Sequence, residues 1–530
     1  MPTFAMNKKT ELLVVLAILI GCLLVVAKAS LLNPQLGGLD EAHHVMDGIF
    51  FHDLFTDLPF SELKSYPYNY YKQYPALGFL FWPPFFPAIE GIVFMVSGID
   101  LLSAQISILL FAILLSACFY LILRKQMPLL PALAGTVLLI STPGLYQYFN
   151  VVMLEVPTLA MMALTLLIYS NITDASPNAR RWWHWQLLAV VAAMSLYTKQ
   201  TAFILFPAIL LDLLLNHRSL LKEKAAWLGL LSATVLTVPL ALFTLKFGKA
   251  NLGQSIGNNT QLIMSGYAGP TRWSIESWTF YLTALPNLFT MLVLFFAAIF
   301  IIHCLLDRAL LRRNTLYITW LISFYLFFSY FDNKFDRFAT LISIPLTILA
   351  ARGIWQTIRI SPSIPAFTPY IVFALIIANA AWLLQDKKVQ TMHGTDEIMR
   401  NFDISKIDGN FAYWGDYRQV FVYHIREQDR DRSHHILQAD DIFGGNESVV
   451  DVLRDYRIRY LFIEPGNLSE KDRSIVAQIE HSDDVSRTYT GRFSSGTKTH
   501  DFIALRNDGK LSEKMRDVSL TSTLIDSNTP

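Results

Sequence analysis

Charged residues are scarce in this 530-residue sequence, which has only 43 Lys and Arg and 42 Asp and Glu. They make up 16% of the chain, whereas soluble globular domains average about 25%. Hydrophobic residues fill the difference at 53%, and they lie in long runs separated by short polar stretches. A water-soluble enzyme is therefore excluded, and most of the chain is predicted to lie in a membrane.

Cysteine is rare, and neither sign of charge is in excess. Cys22, Cys118 and Cys304 lie far apart in apolar runs, which excludes a zinc knuckle and a disulfide framework. The formal net charge is +1, so no basic surface of the size that nucleic acid requires is available. The sequence predicts no nucleic-acid partner, and only the positions of the few charges carry information.

About eleven apolar segments are candidates to cross the hydrocarbon core, which needs about 20 residues. They lie at 11–32, 102–123, 128–149, 157–172, 185–200, 201–216, 225–247, 280–305, 315–331, 338–356 and 367–385. Residues 76–99 are also apolar, but Pro83, Pro84 and Pro87 remove backbone donors and Glu90 interrupts the rest. We interpret this stretch as a short helix at the outer membrane face.

The basic residues predict the orientation of these spans. If residues 76–99 do not cross, the basic clusters from Lys8 and Lys9 to Arg352 all fall on one side, which is the positive-inside pattern. The N-terminus is then cytoplasmic, and the long first outer loop at 33–100 and everything after residue 386 are extracytoplasmic. The first apolar run also fits a signal peptide cleaved near Ala29, but we interpret it as an uncleaved span.

Composition changes abruptly after residue 385, where Asp, Arg, Glu and Lys become frequent. We therefore predict a transmembrane domain at 1–385, a soluble extracytoplasmic α/β domain at 386–506 and a disordered tail at 507–530. Short apolar runs predict strands at 411–414, 435–437 and 460–463, and a helix at 449–456. The predicted fold class is an α-helical polytopic membrane protein with a C-terminal α/β domain.

An acidic pair, Asp40 and Glu41, stands near the start of the first outer loop, directly after Gly37-Gly38-Leu39. Asp40 is suited to cap a helix with an apolar face of Val45, Ile49, Phe50 and Leu54. In the structural interpretation, the pair only stabilises the positive end of this helix. In the functional one, it supplies carboxylates to a site at the membrane surface.

Two cations stand at predicted outer ends of spans, where the positive-inside bias should deplete them. They are Lys199 and Arg337, and each is out of place unless it meets an anion there. The alternatives are snorkelling side chains and, for Arg337, an ion pair with Asp332 or Asp336. Glu155 begins another span on the same side and is a candidate partner for Lys199.

Aromatic residues are dense in the first outer loop. They include Tyr66, Tyr68, Tyr70, Tyr71, Tyr74 and Trp82. Rings at an interface ordinarily form an aromatic belt. Rings near an acidic pair can also stack on the faces of sugars, and this second interpretation stays open.

The order of these motifs resembles the family 39 glycosyltransferases, over roughly residues 10–385. This family includes the dolichyl-phosphate-mannose protein mannosyltransferases and the bacterial aminoarabinose transferases of lipid A, and it has the GT-C fold. Two departures are Glu155, where the family often has Asp, and His43 and His44, which replace small or aromatic residues. The motifs that carry the resemblance are Asp40-Glu41, Tyr74-Pro75, Pro83-Pro84 with Gly98, Glu155 before Pro157, Thr198-Lys199, and Arg337-Phe338 with Pro345.

The resemblance implies transfer of a sugar from a polyprenyl-phosphate donor, held in membrane lipid, to a glycolipid, polysaccharide or protein hydroxyl. It implies that Asp40 is the general base and that Glu41 orients the acceptor or holds a nearby cation. Arg337 and Lys199 would bind the lipid phosphate. Glu155 and Tyr74 would complete the substrate site.

No organic cofactor is implied, since the sequence has neither a Walker motif nor a dinucleotide fingerprint. The alternative is a divalent cation held by His43, His44 and the acidic pair, although adjacent histidines point apart on a helix. The sequence has no large insertion between the spans at 225–247 and 280–305, which favours a bacterial inner membrane over the endoplasmic reticulum.

The competing functional classes are a transporter or lipid flippase and a membrane scaffold without enzymatic activity. Transporters are marked by inverted repeats and by charges near the bilayer midplane. We find no repeat, and most charges stand at the ends of the predicted spans. A scaffold would not need cations at outer helix ends.

Overall fold

The computed structural model describes residues 7–248, 270–358, 364–443, 445 and 447–518. It confirms the predicted class, because the apolar part is helical and a sheet follows it. Up to residue 385 the helices are α1 Lys8–Val26, α2 Lys28–Leu32, α3 Leu39–Asp57, α4 Tyr66–Gln73, α5 Phe85–Ser97, α6 Leu101–Arg124, α7 Leu129–Ile140, α8 Pro143–Tyr146, α9 Glu155–Asp174, α10 Trp182–Thr198, α11 Leu205–Asn216, α12 Lys224–Phe247, α13 Ile275–Leu288, α14 Met291–Leu306, α15 Arg308–Tyr330, α16 Ser343–Thr357 and α17 Thr368–Gln385.

Each predicted apolar segment contains one or two of these helices, and α5 is the short helix predicted within 76–99. Among the described residues, six helices are long and apolar enough to cross a membrane, or seven if the bent pair α7 and α8 forms one span. Three shorter apolar helices accompany them, at Phe85–Ser97, Gln200–Asn216 and Met291–Leu306. The count of about eleven spans stays a prediction.

Proline shapes the helices where the predicted segments are longest. The segment at 128–149 bends by 60° between α7 and α8, where Pro143 begins the second helix. Pro239 and Pro286 lie inside α12 and α13. A proline ring removes a backbone donor and clashes with the preceding turn. This accounts for the bend between α7 and α8 at Pro143, which the uniform hydropathy of the segment does not reveal.

Ion pairs join the helices at the predicted cytoplasmic ends. Arg124 Nε lies 2.8 Å from Glu11 Oε1, and Arg180 Nε lies 2.8 Å from Glu223 Oε1. Asp212, the charged residue late in the segment at 201–216, is buried and accepts a hydrogen bond of 2.7 Å from the Tyr169 hydroxyl. These charges are therefore satisfied within the helical part.

The chain divides into two compact units. The first comprises Met1–Leu32, Leu80–Phe86 and Ile106–Val389, and the second comprises Asn33–Phe79, Pro87–Gln105 and Gln390–Pro530. Most of the first outer loop therefore belongs with the C-terminal segment rather than with the helices that flank the loop in sequence. Asp40 and Glu41 fall in the second unit, whereas Glu155, Lys199 and Arg337 fall in the first.

A six-stranded mixed sheet forms the C-terminal part of the second unit, in the order β1-β5-β6-β4-β2-β3. Strand β2 pairs in parallel with β3 and β4, and the long hairpin β5–β6 adds antiparallel pairs. The elements are β1 Met392–His393, α18 Thr395–Met399, β2 Asn410–Trp414, α19 Arg418–Gln428, β3 Ile436–Gln438, α20 Ala439–Ile442, α21 Val449–Asp455, β4 Ile458–Ile463, α22 Glu470–Glu480, β5 Val485–Ser495 and β6 Lys498–Asn507. The three predicted strands and the predicted helix are confirmed as β2, β3, β4 and α21.

The segment after β6 packs on this sheet domain as far as it is described. Met515 and Val518 lie against the apolar core of the domain, and the Ser512 amide donates to the Arg454 carbonyl at 3.1 Å. The predicted disordered tail began at residue 507, and residues 519–530 of it lie outside the described residues.

Helices α3 and α5 approach closely through glycines. A Cβ atom on Gly91 would lie 2.7 Å from Phe51 Cβ and 2.8 Å from the His52 amide nitrogen. A Cβ atom on Gly48 would lie 2.3 Å from Glu90 Oε2. The contacts at Gly91 include the backbone of α3, so this glycine allows the two helices to pack directly, whereas Gly48 lies against the Glu90 side chain.

Candidate active site

The acidic pair lies in the first turn of α3, two residues further into the helix than the sequence predicts. Gly38, rather than Asp40, is the N-cap, and it makes no side-chain capping bond. Asp40 is partly exposed, whereas Glu41 is buried and accepts a hydrogen bond from the Gly37 amide. Both carboxylates therefore lie at the positive end of the helix, which stabilises their charged forms.

Two further carboxyl groups are buried here, Asp47 on α3 itself and Glu90 on α5. Asp47 accepts a hydrogen bond of 2.8 Å from the Gly78 amide through one oxygen. Its other oxygen and both oxygens of Glu90 have no hydrogen-bond partner in the described part of the chain. Burial raises the pKa of Asp47 well above its usual range, although the Gly78 bond opposes the shift.

His43 is fixed on the same helix as a neutral ring. Its Nδ1 lies 2.8 Å from the Ala76 carbonyl oxygen, so Nδ1 carries the proton and donates it. Burial lowers the pKa of His43 and the charge of Arg418 lowers it further, whereas the Ala76 bond and the charge of Asp40 oppose this shift. The other ring nitrogen, Nε2, therefore carries no proton and is able to accept a hydrogen bond.

Tyr74, which the sequence analysis assigned to substrate binding, has no exposed surface. Its hydroxyl donates to Asp429 Oδ2 at 2.8 Å, and its ring lies 5.6 Å from the Arg426 guanidinium carbon. A buried ring whose hydroxyl is already used has no face to offer a sugar. The structure gives Tyr74 a packing role, and we leave it out of the proposed site.

The first outer loop and the C-terminal domain share a buried ion pair. Arg426 Nη2 lies 2.8 and 2.7 Å from the two oxygens of Asp53, and both side chains are only 4% exposed. The Tyr70 hydroxyl donates to the same carboxylate at 2.8 Å. These bonds tie α3 and α4 to α19 within the second unit, and the sequence alone offered no signal that would pair residues so far apart.

We expect Arg426→Leu to lower the free energy of unfolding by about 3–5 kcal/mol, because it leaves the buried Asp53 carboxylate without its closest cation. Burial raises the pKa of Asp53, but the bonds from His52 and Arg426 and the charge of Arg426 outweigh it and hold the pKa below the ordinary 3.8. The stabilisation that the charged Asp53 carboxylate contributes is therefore complete above pH 3.8 and is lost as the pH falls below this value. Thermal unfolding of the detergent-solubilised protein across pH measures both effects.

The control for this prediction is Arg492→Leu, which breaks an ion pair whose side chains are 75% and 64% exposed. Exposed pairs contribute about 0–1 kcal/mol, so this variant should unfold almost as the wild type does. Equal losses for the two variants would contradict the role given to the buried pair.

In the first unit, the predicted partners Lys199 and Glu155 form an ion pair. Lys199 Nζ lies 2.6 Å from Glu155 Oε1, and the side chains are 13% and 2% exposed. Arg337 lies close enough for its charge to act on Glu155. The charges of Glu155 and Arg337 both act on the Tyr148 hydroxyl. The structure thus brings together the predicted outer ends of three segments that are distant in sequence, and it adds Tyr148, which the sequence analysis missed.

Arg337 is partly exposed and lies beside aromatic rings. Its guanidinium carbon is 4.9 Å from the centre of the Phe335 ring and 5.9 Å from that of Phe338. Asp332, one of the two ion-pair partners considered for it, instead lies 3.6 Å from Arg272 Nη2. Stacking on aromatic faces suits a planar guanidinium and orients it.

Lys334, which precedes Arg337, has a structural role at the end of α15. It is buried, and its Nζ donates to the carbonyls of Phe328 and Ser329 at 2.7 and 2.9 Å. These carbonyls belong to the last turn of α15, where no intrahelical donor is available. Burial lowers the pKa of Lys334 to about 8, although the charge of Asp332 opposes the shift. The group therefore holds the turn that carries Arg337.

An apolar groove of about 370 Å³ lies in the first unit between the segments that carry these cations. Phe203 and Ile204 belong to the 3-10 helix that follows Lys199, and Phe331 belongs to the turn before Arg337. The remaining lining is also mainly apolar and comprises Pro207, Ser323, Leu326, Phe327 and Tyr330. A hydrocarbon chain fits such a lining.

In the ranges that the structure describes, no group of three or more His, Cys, Asp or Glu side chains is arranged to hold a metal ion. The acidic pair and the Lys199–Glu155 pair belong to different units. Their predicted convergence around one substrate therefore stays a prediction.

Comparison with known proteins gives a family match and a shared fold. The family model described as dolichyl-phosphate-mannose-protein mannosyltransferase matches residues 82–243, which include Glu155 and Lys199. A comparison with curated protein sequences gave no significant match.

Two solved structures of ArnT from Cupriavidus metallidurans are similar in fold. The structure bound to undecaprenyl phosphate has 13% identity and a TM-score of 0.58, and the alignment covers 94% of this chain and 98% of that one. For the apo structure the values are 12%, 0.53, 93% and 97%. The chain thus has several helices long and apolar enough to cross a membrane, shares its fold with the two ArnT structures, and matches the mannosyltransferase family model over one segment.

Proposed function

We propose that this protein transfers a sugar from a polyprenyl-phosphate donor to a hydroxyl of an acceptor at the extracytoplasmic face of a bacterial inner membrane. The observation that carries the proposal is the cation cluster at the predicted outer ends of the spans. Lys199 pairs with the buried Glu155, Arg337 acts on the same carboxylate, and an apolar groove lies between the segments that carry both cations.

The cations and the groove suit the two parts of a lipid phosphate. Arg337 offers a fork of donors to phosphate oxygens and Lys199 offers a point charge, while the groove takes part of the hydrocarbon tail. ArnT, which has a similar fold, is known with undecaprenyl phosphate bound, and this supports a polyprenyl phosphate as the carrier. The donor diffuses in the bilayer, so no nucleotide-binding motif is needed.

The proposed reaction is an inverting displacement at the anomeric carbon. Asp40 takes the proton of the acceptor hydroxyl as its oxygen attacks, and the bond from the anomeric carbon to the phosphate oxygen breaks. The departing lipid phosphate gains negative charge, which Arg337 and Lys199 stabilise. Glu41, fixed by the Gly37 amide, orients the acceptor or holds a nearby cation.

The direct test is to incubate the purified protein with polyprenyl-phosphate sugars and a mixed extract of envelope glycolipids and proteins. Release of the lipid phosphate together with a labelled acceptor supports the proposal. Movement of the intact lipid-linked sugar across a vesicle membrane without release would instead identify a flippase. A parallel assay with a chelator decides whether a divalent cation at His43 and His44 takes part.

Arg337→Lys is expected to raise the donor KM by about 10- to 100-fold, because it keeps the charge and loses the fork of charge-assisted bonds. Arg337→Ala should raise it further. Arg313→Ala, an exposed arginine at the predicted cytoplasmic side, is the matched control and should leave the KM unchanged. An unchanged donor KM in Arg337→Ala would remove this residue from the phosphate site.

A further inference from the structure

Arg418 stands at the edge of the C-terminal sheet where ligands bind in open α/β folds. It begins α19, directly after the turn that follows β2. Strand β2 lies between β4 and β3, and all three are parallel. The chain therefore leaves β2 towards one neighbour and later returns to the other side. Such a reversal opens a crevice outside the carboxyl ends of the strands.

The Arg418 guanidinium forms no ion pair with the residues that the structure describes. Its Nη1 donates to Gln438 Oε1 at the end of β3, and its Nε has no hydrogen-bond partner among the described residues. The charges of Asp440 and Asp441 act on it, but within the described ranges it forms no ion pair. Burial lowers the pKa of Arg418, which reflects the cost of holding this charge away from water without a close anion.

Arg418 also faces the helices of the first outer loop, which belong to the same unit. Its charge acts on His43 of α3 and on Tyr71 of α4, and the charge of Asp40 acts on His43 as well. All four side chains are partly exposed. The C-terminal domain therefore supplies a cation to the surroundings of the proposed base.

We propose that Arg418 binds a phosphate or carboxylate group carried by the acceptor, so that the acceptor is an anionic glycolipid. This inference rests on the proposed function, because it takes Asp40 as the base that receives the acceptor proton. The donor phosphate has its own proposed cations, Lys199 and Arg337, in the other unit. A guanidinium whose Nε has no partner among the described residues, and which lies near a tyrosine and an amide, suits an anionic sugar.

Equilibrium binding to the full-length protein in detergent tests the inference without any transfer reaction. The probes are dodecyl glucoside, dodecyl glucoside 6-phosphate and dodecyl glucuronide, which share one tail and differ in charge. The wild type should bind at least one anionic probe about 10- to 100-fold more tightly than the neutral one. Preference for the phosphate or for the glucuronide tells which anion the site takes.

Arg418→Gln should abolish this preference, and Arg418→Lys should reduce it because the charge stays and the fork is lost. Arg430→Gln, an exposed arginine after the same helix, should keep it. The inference is overturned if the wild type shows no preference for either anionic probe. It is also overturned if Arg418→Gln keeps the preference, and Arg418→Lys gives the same reading should the glutamine variant fail to fold.

The proposed function fails by a different result, the absence of lipid-phosphate release with every donor. That failure does not affect the measured binding preference, which tests the role of Arg418 separately. In an active preparation, Arg418→Gln should raise the KM for an anionic acceptor while the donor KM and the kcat stay near the wild-type values. A purely structural role would lower kcat for anionic and neutral acceptors alike.

Discussion

The Asp40→Asn protein is expected to lose sugar transfer by about 10²- to 10⁴-fold, the range for removal of a general base. The amide has nearly the same shape as the carboxylate but accepts no proton at neutral pH. Donor binding should stay unchanged, because the proposed phosphate cations are other residues. Turnover of a labelled donor under saturating conditions, with a separate measurement of donor affinity, provides the readout.

The matched control is Asp57→Asn at the other end of the same helix. Asp57 is bonded to Arg432 and to the Tyr66 hydroxyl, and it plays no part in the proposed reaction. Its loss should leave kcat near the wild-type value. If a correctly folded Asp40→Asn protein transfers sugar at the wild-type rate, Asp40 is not the base.

Lys199→Met is expected to remove donor binding and to lower the free energy of unfolding by about 3–5 kcal/mol. The second effect arises because Glu155, which is 2% exposed, would be left as a buried carboxylate without its closest cation. Adding Glu155→Leu should restore much of the stability, since replacing both members of a buried pair by apolar groups is often neutral. Donor binding should stay lost in the double variant.

This pair of variants separates the two roles of Lys199. A double variant that recovers both stability and transfer would make Lys199 a structural residue only. Lys125→Met is the control: it breaks a pair at 2.9 Å in which the Asp174 side chain is 65% exposed. An exposed pair contributes about 0–1 kcal/mol, so thermal unfolding should change little.

The helical part could be predicted because a bilayer imposes a simple rule on sequence. Every segment that crosses must be apolar and of fixed length, so the runs at 102–123 and 157–172 correspond closely to α6 and α9. The positive-inside bias made Lys199 and Arg337 unusual at the predicted outer ends of the spans. Glu155 was predicted as a partner of Lys199 only because it begins a span on the same predicted side of the membrane. Cations at positions that the positive-inside bias disfavours are therefore candidates for a site.

The second unit was harder to predict because its contacts join residues distant in sequence. The pattern around Tyr74 is the same for a ring that stacks on a sugar and for one that packs against Arg426. Only tertiary structure decides between them. Strands β5 and β6 were missed because their outward residues are polar and few of their side chains are buried. Strands of a sheet that are exposed on one face leave a weak hydrophobic signal.

The small volume of the apolar groove limits how much of the proposed donor it would contact. A volume of about 370 Å³ is in the range of pockets that hold a drug-sized molecule, so the groove would take only the isoprene units next to the phosphate. On the proposed function, the remainder of the tail would stay among the acyl chains of the bilayer. Donors that differ only in tail length would then bind alike.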